Sequence, residues 1–430
     1  MRTMQIAVKL KGWTQAVAAV VLVSVLAACG GGGGGSSSSS SNSSSTLNGG
    51  SLPASPTQQP IAANAANTVP ITVGFGVKGV INIPTVSVTV CAPGSTTNCQ
   101  TINNIQVDTG SFGLRVVSSQ LNSSVLGALS PITVAGGAQL AECATFADGY
   151  TWGSVRSASV TIGGETASNI PVQIIGDKAA STVPAGCTGV AENTASDLGA
   201  NGILGIGTAP NDCGATCANA STATTYSNYF ACPGGTSCTR TAVPDAQQVG
   251  NPVANFATDN NGVIVQMPPV GDTGASSATG TLVFGINTQS NNKMAAAQTF
   301  TTNRSGDLTN SVFNGTTVQA FLDSGSNGYF FADSSLSLCN SPYTGFYCPS
   351  SAQTRSISLV GLNGAKTTAS IGILSAATLF GNGSNFAFND LAGQLSGSSS
   401  FDLGLPFFYG RYVYYGIDQT PGGQAPYVAF

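Results

Sequence analysis

The chain contains no histidine. That absence removes Ser-His-Asp and Cys-His nucleophilic machinery and the commonest zinc ligand, so any hydrolytic chemistry has to rest on carboxylates, hydroxyls or lysine. Charge is also scarce: only 7% of the 430 residues are Asp, Glu, Lys or Arg, and no basic run occurs. With a net charge of −4 the chain offers no electrostatic footprint for nucleic acid. No stretch carries the long amphipathic period of a helix. Glycine, by contrast, is abundant at 55 residues, and Ser, Thr and Asn are frequent. Such a composition favours short strands and turns, hence an all-β fold. The length corresponds to two lobes or to one large β domain with extensions.

The first residues form an address. Arg2, Lys9 and Lys11 precede an apolar run over residues 16–25, which closes on Leu26-Ala27-Ala28-Cys29. The run is too short for a membrane span and ends in small residues, as a signal peptide does. Leu-Ala-Ala-Cys resembles the lipobox of bacterial lipoproteins, which implies cleavage after Ala28 and lipidation of Cys29. An ordinary signal peptide with an incidental cysteine is the alternative. Without its leader the chain has 10 basic and 17 acidic residues, a balance of −7. Runs of Gly (30–35) and Ser (36–41) follow, with no charge before Lys78. Residues 29–68 therefore read as a flexible tether with a root-mean-square reach of roughly 30–35 Å. Gly30, in place of the Asp that commonly signals inner-membrane retention, points to the outer membrane of a Gram-negative envelope.

Ten cysteines remain after Cys29, an even number in an exported chain, which favours disulfides. The short spacings make Cys91 with Cys99, Cys232 with Cys238, and Cys339 with Cys348 natural local loops. Cys213 with Cys217 is a further short pair, leaving Cys143 with Cys187. A four-cysteine zinc site at Cys213, Cys217, Cys232 and Cys238 is the alternative, although these spacings differ from those of the usual paired knuckles.

From Val69 onward short strands alternate with turn signals. In NIQVDTGSFGLR (104–115) an apolar-alternating run delivers Asp108 into Thr109-Gly110-Ser111. VQAFLDSGSNGYFF (318–331) repeats the design with Asp323 followed by Ser324, Gly325 and Ser326. Each half then has a later apolar element ending in glycine, Ile203-Leu204-Gly205 and Asp402-Leu403-Gly404. A third triplet, Asp272-Thr273-Gly274, has no apolar strand feeding it and carries little information. Residues 208–249, rich in Cys, Ala, Thr and Asn, read as a disulfide-braced surface insertion.

Those paired elements resemble the pepsin-like aspartic proteases over essentially all of 69–430, and more closely an uncharacterised bacterial lipoprotein family of that fold. The resemblance implies a bilobal fold with a pseudo-two-fold repeat, an N-terminal lobe over 69–288 and a C-terminal lobe over 289–430. It also implies a catalytic dyad of Asp108 and Asp323. Thr109 and Ser324 would tie the two turns together, Gly110 and Gly325 would admit close approach, and Ser111 and Ser326 would donate to the carboxylates. Tyr150, with Trp152, Gly153 and Ser154, falls where the family carries its mobile flap. Gly280–Asn287 resembles the strand at the lobe junction. Arg115 stands where animal pepsins have a Trp that bonds the flap Tyr, and no basic propeptide is present. The implied activity is hydrolysis of peptide bonds in a protein substrate by a surface-tethered monomer without metal or cofactor. A lipoprotein that uses the same cleft only to bind peptides or glycans is the alternative.

Overall fold

The computed structural model describes residues 51–395 and 399–430. Among these the longest helix, Ala220–Tyr226, has seven residues, and the architecture is carried by strands. Alternation in the sequence becomes alternation in burial: in Thr85–Cys91 the outward Ser87 is exposed while Val86, Val88 and Val90 are buried. Continuous apolar runs behave differently. Phe112–Val117 and Gly202–Ile206 are buried at every residue, because they lie inside the sheet with protein on both faces.

Each lobe contains the same crossing of strands. In the first, Cys99–Asp108 runs parallel to Gly202–Ile206, with Asp108 opposite Gly205, and Phe112–Val117 packs antiparallel on the other side. In the second, Thr316–Asp323 runs parallel to Ser400–Gly404, with Asp323 opposite Gly404, and Tyr329–Phe331 lies antiparallel beyond. Glycine at the crossing follows from steric demand. A Cβ on Gly205 would sit 2.5 Å from Phe112 N, and one on Gly404 would sit 2.1 Å from Gly328 O. The all-β, bilobal architecture expected from the repeat is the one the strands form.

Strands from both sides of residue 288, the expected lobe boundary, share one sheet. Thr68–Val73 pairs with Ala278–Phe284, then Gly262–Gln266, Tyr412–Gly416 and Tyr427–Ala429 follow in order, so the C-terminal strands return to the sheet of the first lobe. The self-contained second-lobe sheet spans Leu308–Phe313 to Ser400–Gly404. The tether expected over 29–68 also needs correction. Its first part, like the signal peptide and Cys29, lies outside the described residues, but 51–67 is docked. Gln58 N donates to Gly410 O at 2.9 Å, Ile61 N donates to Gln266 Oε1 at 2.9 Å, and the buried Asn67 Nδ2 donates to Phe284 O at 3.1 Å. Leu52 and Ile61 also pack against buried hydrophobic clusters, so the stretch is held by apolar contacts together with backbone and amide hydrogen bonds.

The five cysteine pairs are Cys91–Cys99, Cys143–Cys187, Cys213–Cys217, Cys232–Cys238 and Cys339–Cys348. The cysteines of the alternative zinc site are thus engaged with one another.

Candidate active site

Asp108 and Asp323 end their strands at the lobe junction, 5% and 8% exposed. The turn after each strand wraps its carboxylate. Gly110 N donates to Asp108 Oδ1 at 2.8 Å and Ser111 Oγ donates to Oδ2 at 2.5 Å. Gly325 N donates to Asp323 Oδ1 at 2.8 Å and Ser326 Oγ donates to Oδ2 at 3.0 Å. The turns are also tied to each other. Ser324 N donates to Thr109 Oγ1 (2.9 Å) and Thr109 N to Ser324 Oγ (3.1 Å), while the two hydroxyls donate to Leu322 O and Val107 O of the opposite strands. A methyl added at Gly110 would lie 2.6 Å from Asp323 Cγ, and one at Gly325 would lie 2.5 Å from Asp108 Oδ1. Only glycines allow the two carboxyls to face one another at this range.

Burial first, and then the charge and hydrogen bond of Asp108, push the Asp323 carboxyl up to about 7, against the Gly325 N–H and the Ser326 hydroxyl. Two carboxyls so placed share a proton, because ionising both concentrates like charge in a poorly solvated site. One group can then act as base while the other remains an acid.

The hairpin that carries the expected flap residues is formed by Gln139–Thr145 and Tyr150–Ile162, with its turn at Phe146–Gly149. Tyr150 follows the turn and does not form its tip. Its backbone pairs with a further segment through Val190 O and Glu192 N, and its ring is buried with Trp152, Phe230 and two disulfides. Trp152 is fully enclosed, edge-on to Phe230, with Nε1 donating to Thr182 Oγ1 at 3.0 Å. Gly153 meets the backbone of Ile174, and Ser154 is bonded to Asp177 through backbone and hydroxyl. The aromatic at the turn is Phe146, 5.8 Å from the Arg115 guanidinium. Tyr150, Trp152, Gly153 and Ser154 therefore lie on the strand that leaves the turn, anchored from the turn-closing pair Thr145–Tyr150 onward.

Arg115 has an unforeseen setting. Only 3% exposed, it donates to Phe112 O (2.7 Å), Glu142 Oε1 (2.6 Å) and Asp212 Oδ2 (3.0 Å). Burial opposes its charge, but the two carboxylates outweigh burial and hold it charged. Tyr229 Oη donates to Asp212 Oδ1 at 2.6 Å, and Tyr229–Cys232 pairs with Gln139–Thr145. The stretch read as a surface insertion is thus an added part of the hairpin's own sheet. The available signal was Glu142 in Leu-Ala-Glu-Cys-Ala: in a chain this poor in charge, an acid within an apolar strand calls for a cation. Gln106, whose Nε2 donates to Gly325 O (2.9 Å), and Tyr415, whose hydroxyl donates to Leu322 O (2.9 Å), also brace the dyad turns and were not singled out from sequence.

A family model described as "Protein of unknown function (DUF3443)" matches residues 63–430. Among solved structures, an aspartic proteinase from Irpex lacteus is similar at 17% identity, covering 85% of this chain and 97% of that chain with a TM-score of 0.48. No curated protein matches the chain.

Proposed function

The chain belongs to the family described as protein of unknown function, DUF3443, and for this member we propose the activity of an aspartic-type endopeptidase. The observation that carries the reading is the pair of facing, buried carboxyls, each wrapped by its own turn and one pushed up to about 7. In the proposed reaction the ionised carboxylate takes a proton from a water as the water oxygen bonds to the scissile carbonyl carbon. The protonated partner donates to the carbonyl oxygen. When the C–N bond of the tetrahedral intermediate breaks, the proton taken from water passes to the departing nitrogen, and one hydroxyl of the intermediate returns its proton to the other carboxylate as the carbonyl reforms, so the dyad again holds a single shared proton. Thr109, Gly110, Ser111, Ser324, Gly325 and Ser326 keep the acid and base fixed while this occurs.

The lipobox-like Leu26–Cys29 motif supports a lipid-anchored envelope location for the peptidase. A second reading, a peptide- or glycan-binding lipoprotein without turnover, draws on the anchoring of the hairpin by Cys143–Cys187 and the Val190–Glu192 pairing, which restrains closure over a substrate. Incubation of the disulfide-intact protein with a diverse peptide library between pH 3 and 7, read by mass spectrometry, separates them. Peptidase activity gives cleavage that a statine-type mimic inhibits; binding of the mimic without any cleavage favours the second reading.

A further inference from the structure

The second lobe carries a carboxyl that the dyad chemistry does not use. Asp402 lies two residues before Gly404 in Ser400–Gly404 and is 0% exposed. In the parallel register Asp323 faces Gly404 and Phe321 faces Asp402, so Asp402 and Asp323 project from the same face of neighbouring strands. The other neighbouring strand places Phe330 opposite Asp402.

The first lobe supplies an internal comparison. There the residue two before Gly205 is Ile203, fully buried and paired with Gln106. The fold accepts an aliphatic side chain at this position. A carboxyl in the same enclosure brings a desolvation cost that packing does not demand.

Neither oxygen of Asp402 accepts a hydrogen bond among the described residues. The polar groups that act on its charge are the carboxyls of Asp323 and Asp108 and the hydroxyls of Ser326 and Tyr415. Tyr415 gives its proton to Leu322 O. Ser326 also has one proton and gives it to Asp323 Oδ2. An ionised Asp402 would therefore receive nothing and would repel two carboxyls. As a neutral acid it has a proton to offer, and Ser326 Oγ has lone pairs to accept it. Burial first, then Asp323 and Asp108, push Asp402 well above the usual carboxylate range, against the neighbouring Ser326.

We propose that Asp402 is a positioning residue for the dyad: its neutral carboxyl donates to Ser326 Oγ, fixing the hydroxyl that donates to Asp323 and so holding that carboxyl toward Asp108. The role rests on the dyad reading above, but the proton it requires can be observed without a substrate.

The test is infrared titration of the disulfide-intact protein with Asp402→Asn and Asp402→Ile. The spectrum of wild type minus Asp402→Asn contains the carbonyl stretch of a protonated acid, and this band persists above the ordinary carboxylate range. Its absence overturns the proposal. Asp402→Ile copies the first-lobe residue and removes the donor, so the Asp323 carboxylate band moves up by about half to one pH unit. Asp402→Asn keeps the wild-type midpoint, since its amide N–H donates to Ser326 in place of the acid. Equal midpoints for Asp402→Asn and Asp402→Ile would overturn the positioning role, and if Asp402→Ile does not fold the difference spectrum still decides whether the proton is there. With a cleaved peptide, kcat/KM falls about tenfold in Asp402→Ile and stays within about threefold in Asp402→Asn. A protein that cleaves no peptide contradicts the peptidase reading, while the spectra still decide for or against Asp402.

Discussion

Replacing Asp323 by Asn should make the folded protein more stable at neutral pH while removing its proposed activity. The Asp323 carboxyl is pushed up to about 7, with burial as the largest cause, whereas in the unfolded chain it titrates near the ordinary Asp value of about 3.9. Between these values the native state holds a proton that the unfolded state has released, so stability falls as pH rises. The contribution is fully present below about pH 4, declines through the window to about 7, and is then lost. A shift of about 3 units corresponds to about 4 kcal/mol. Asn cannot ionise, fills nearly the same space, and can accept from Gly325 N through its amide oxygen. Urea denaturation of both proteins from pH 4 to 8, with disulfides intact, should therefore show similar stabilities at the acid end. Toward pH 8 the Asp323→Asn protein gains up to about 4 kcal/mol over wild type. A difference that does not change with pH would refute the claim that Asp323 carries a raised, buried proton.

Three further outcomes follow from the contacts. Gly110→Ala places a methyl 2.6 Å from the Asp323 carboxyl, and should cost about 1–3 kcal/mol in denaturant and abolish peptide cleavage, whereas Gly127→Ala, which meets nothing within 4 Å, leaves activity unchanged. Arg115→Met leaves Glu142, 0% exposed, without its cation and should lower stability by about 3–5 kcal/mol; adding Glu142→Gln should restore part of that loss, and no restoration would show that packing rather than charge sets the cost. Replacing both Cys143 and Cys187 by Ser opens a link between residues 44 positions apart; it should cost about 2–5 kcal/mol and speed hydrogen exchange first in the segment around 176–193, while uniform acceleration would contradict a local clamp.

Much of the site was legible because its chemistry is local. Asp108 and Asp323 stood out because each ends an apolar strand and enters a Gly-Ser turn, and the later Gly205 and Gly404 gave the crossing partners. The bare triplet at Asp272 shows why the feeding strand mattered, since its chain lies outside any such crossing. Where reading failed, the decisive partner was distant in sequence. Nothing near Arg115 announces Asp212, 97 positions on, or Tyr229, because a buried ion pair is completed only by folding. The residues named for the flap, Tyr150, Trp152, Gly153 and Ser154, lie on the strand that leaves the turn, while the aromatic within the turn is Phe146; strand register decides which residue sits there, and register is set by folding. Residues 51–67 differ for another reason, as their scattered apolar residues, Leu52 and Ile61 among them, follow no strand or helix period, and their backbone and amide hydrogen bonds leave no sequence pattern. Asp402 was visible throughout but read as part of an apolar element; only its counterpart Ile203 shows how unusual a carboxyl is there.

The central claim is that Asp108 and Asp323 work as one acid–base unit sharing a proton. Its most direct test is the pH dependence of kcat/KM on a cleaved peptide, measured for wild type, Asp108→Asn and Asp323→Asn. The account predicts a wild-type rate that falls as the shared proton is lost toward about pH 7, and no cleavage above background in either variant. Cleavage that survives in either Asn variant, or a wild-type rate still rising above pH 8, would contradict it.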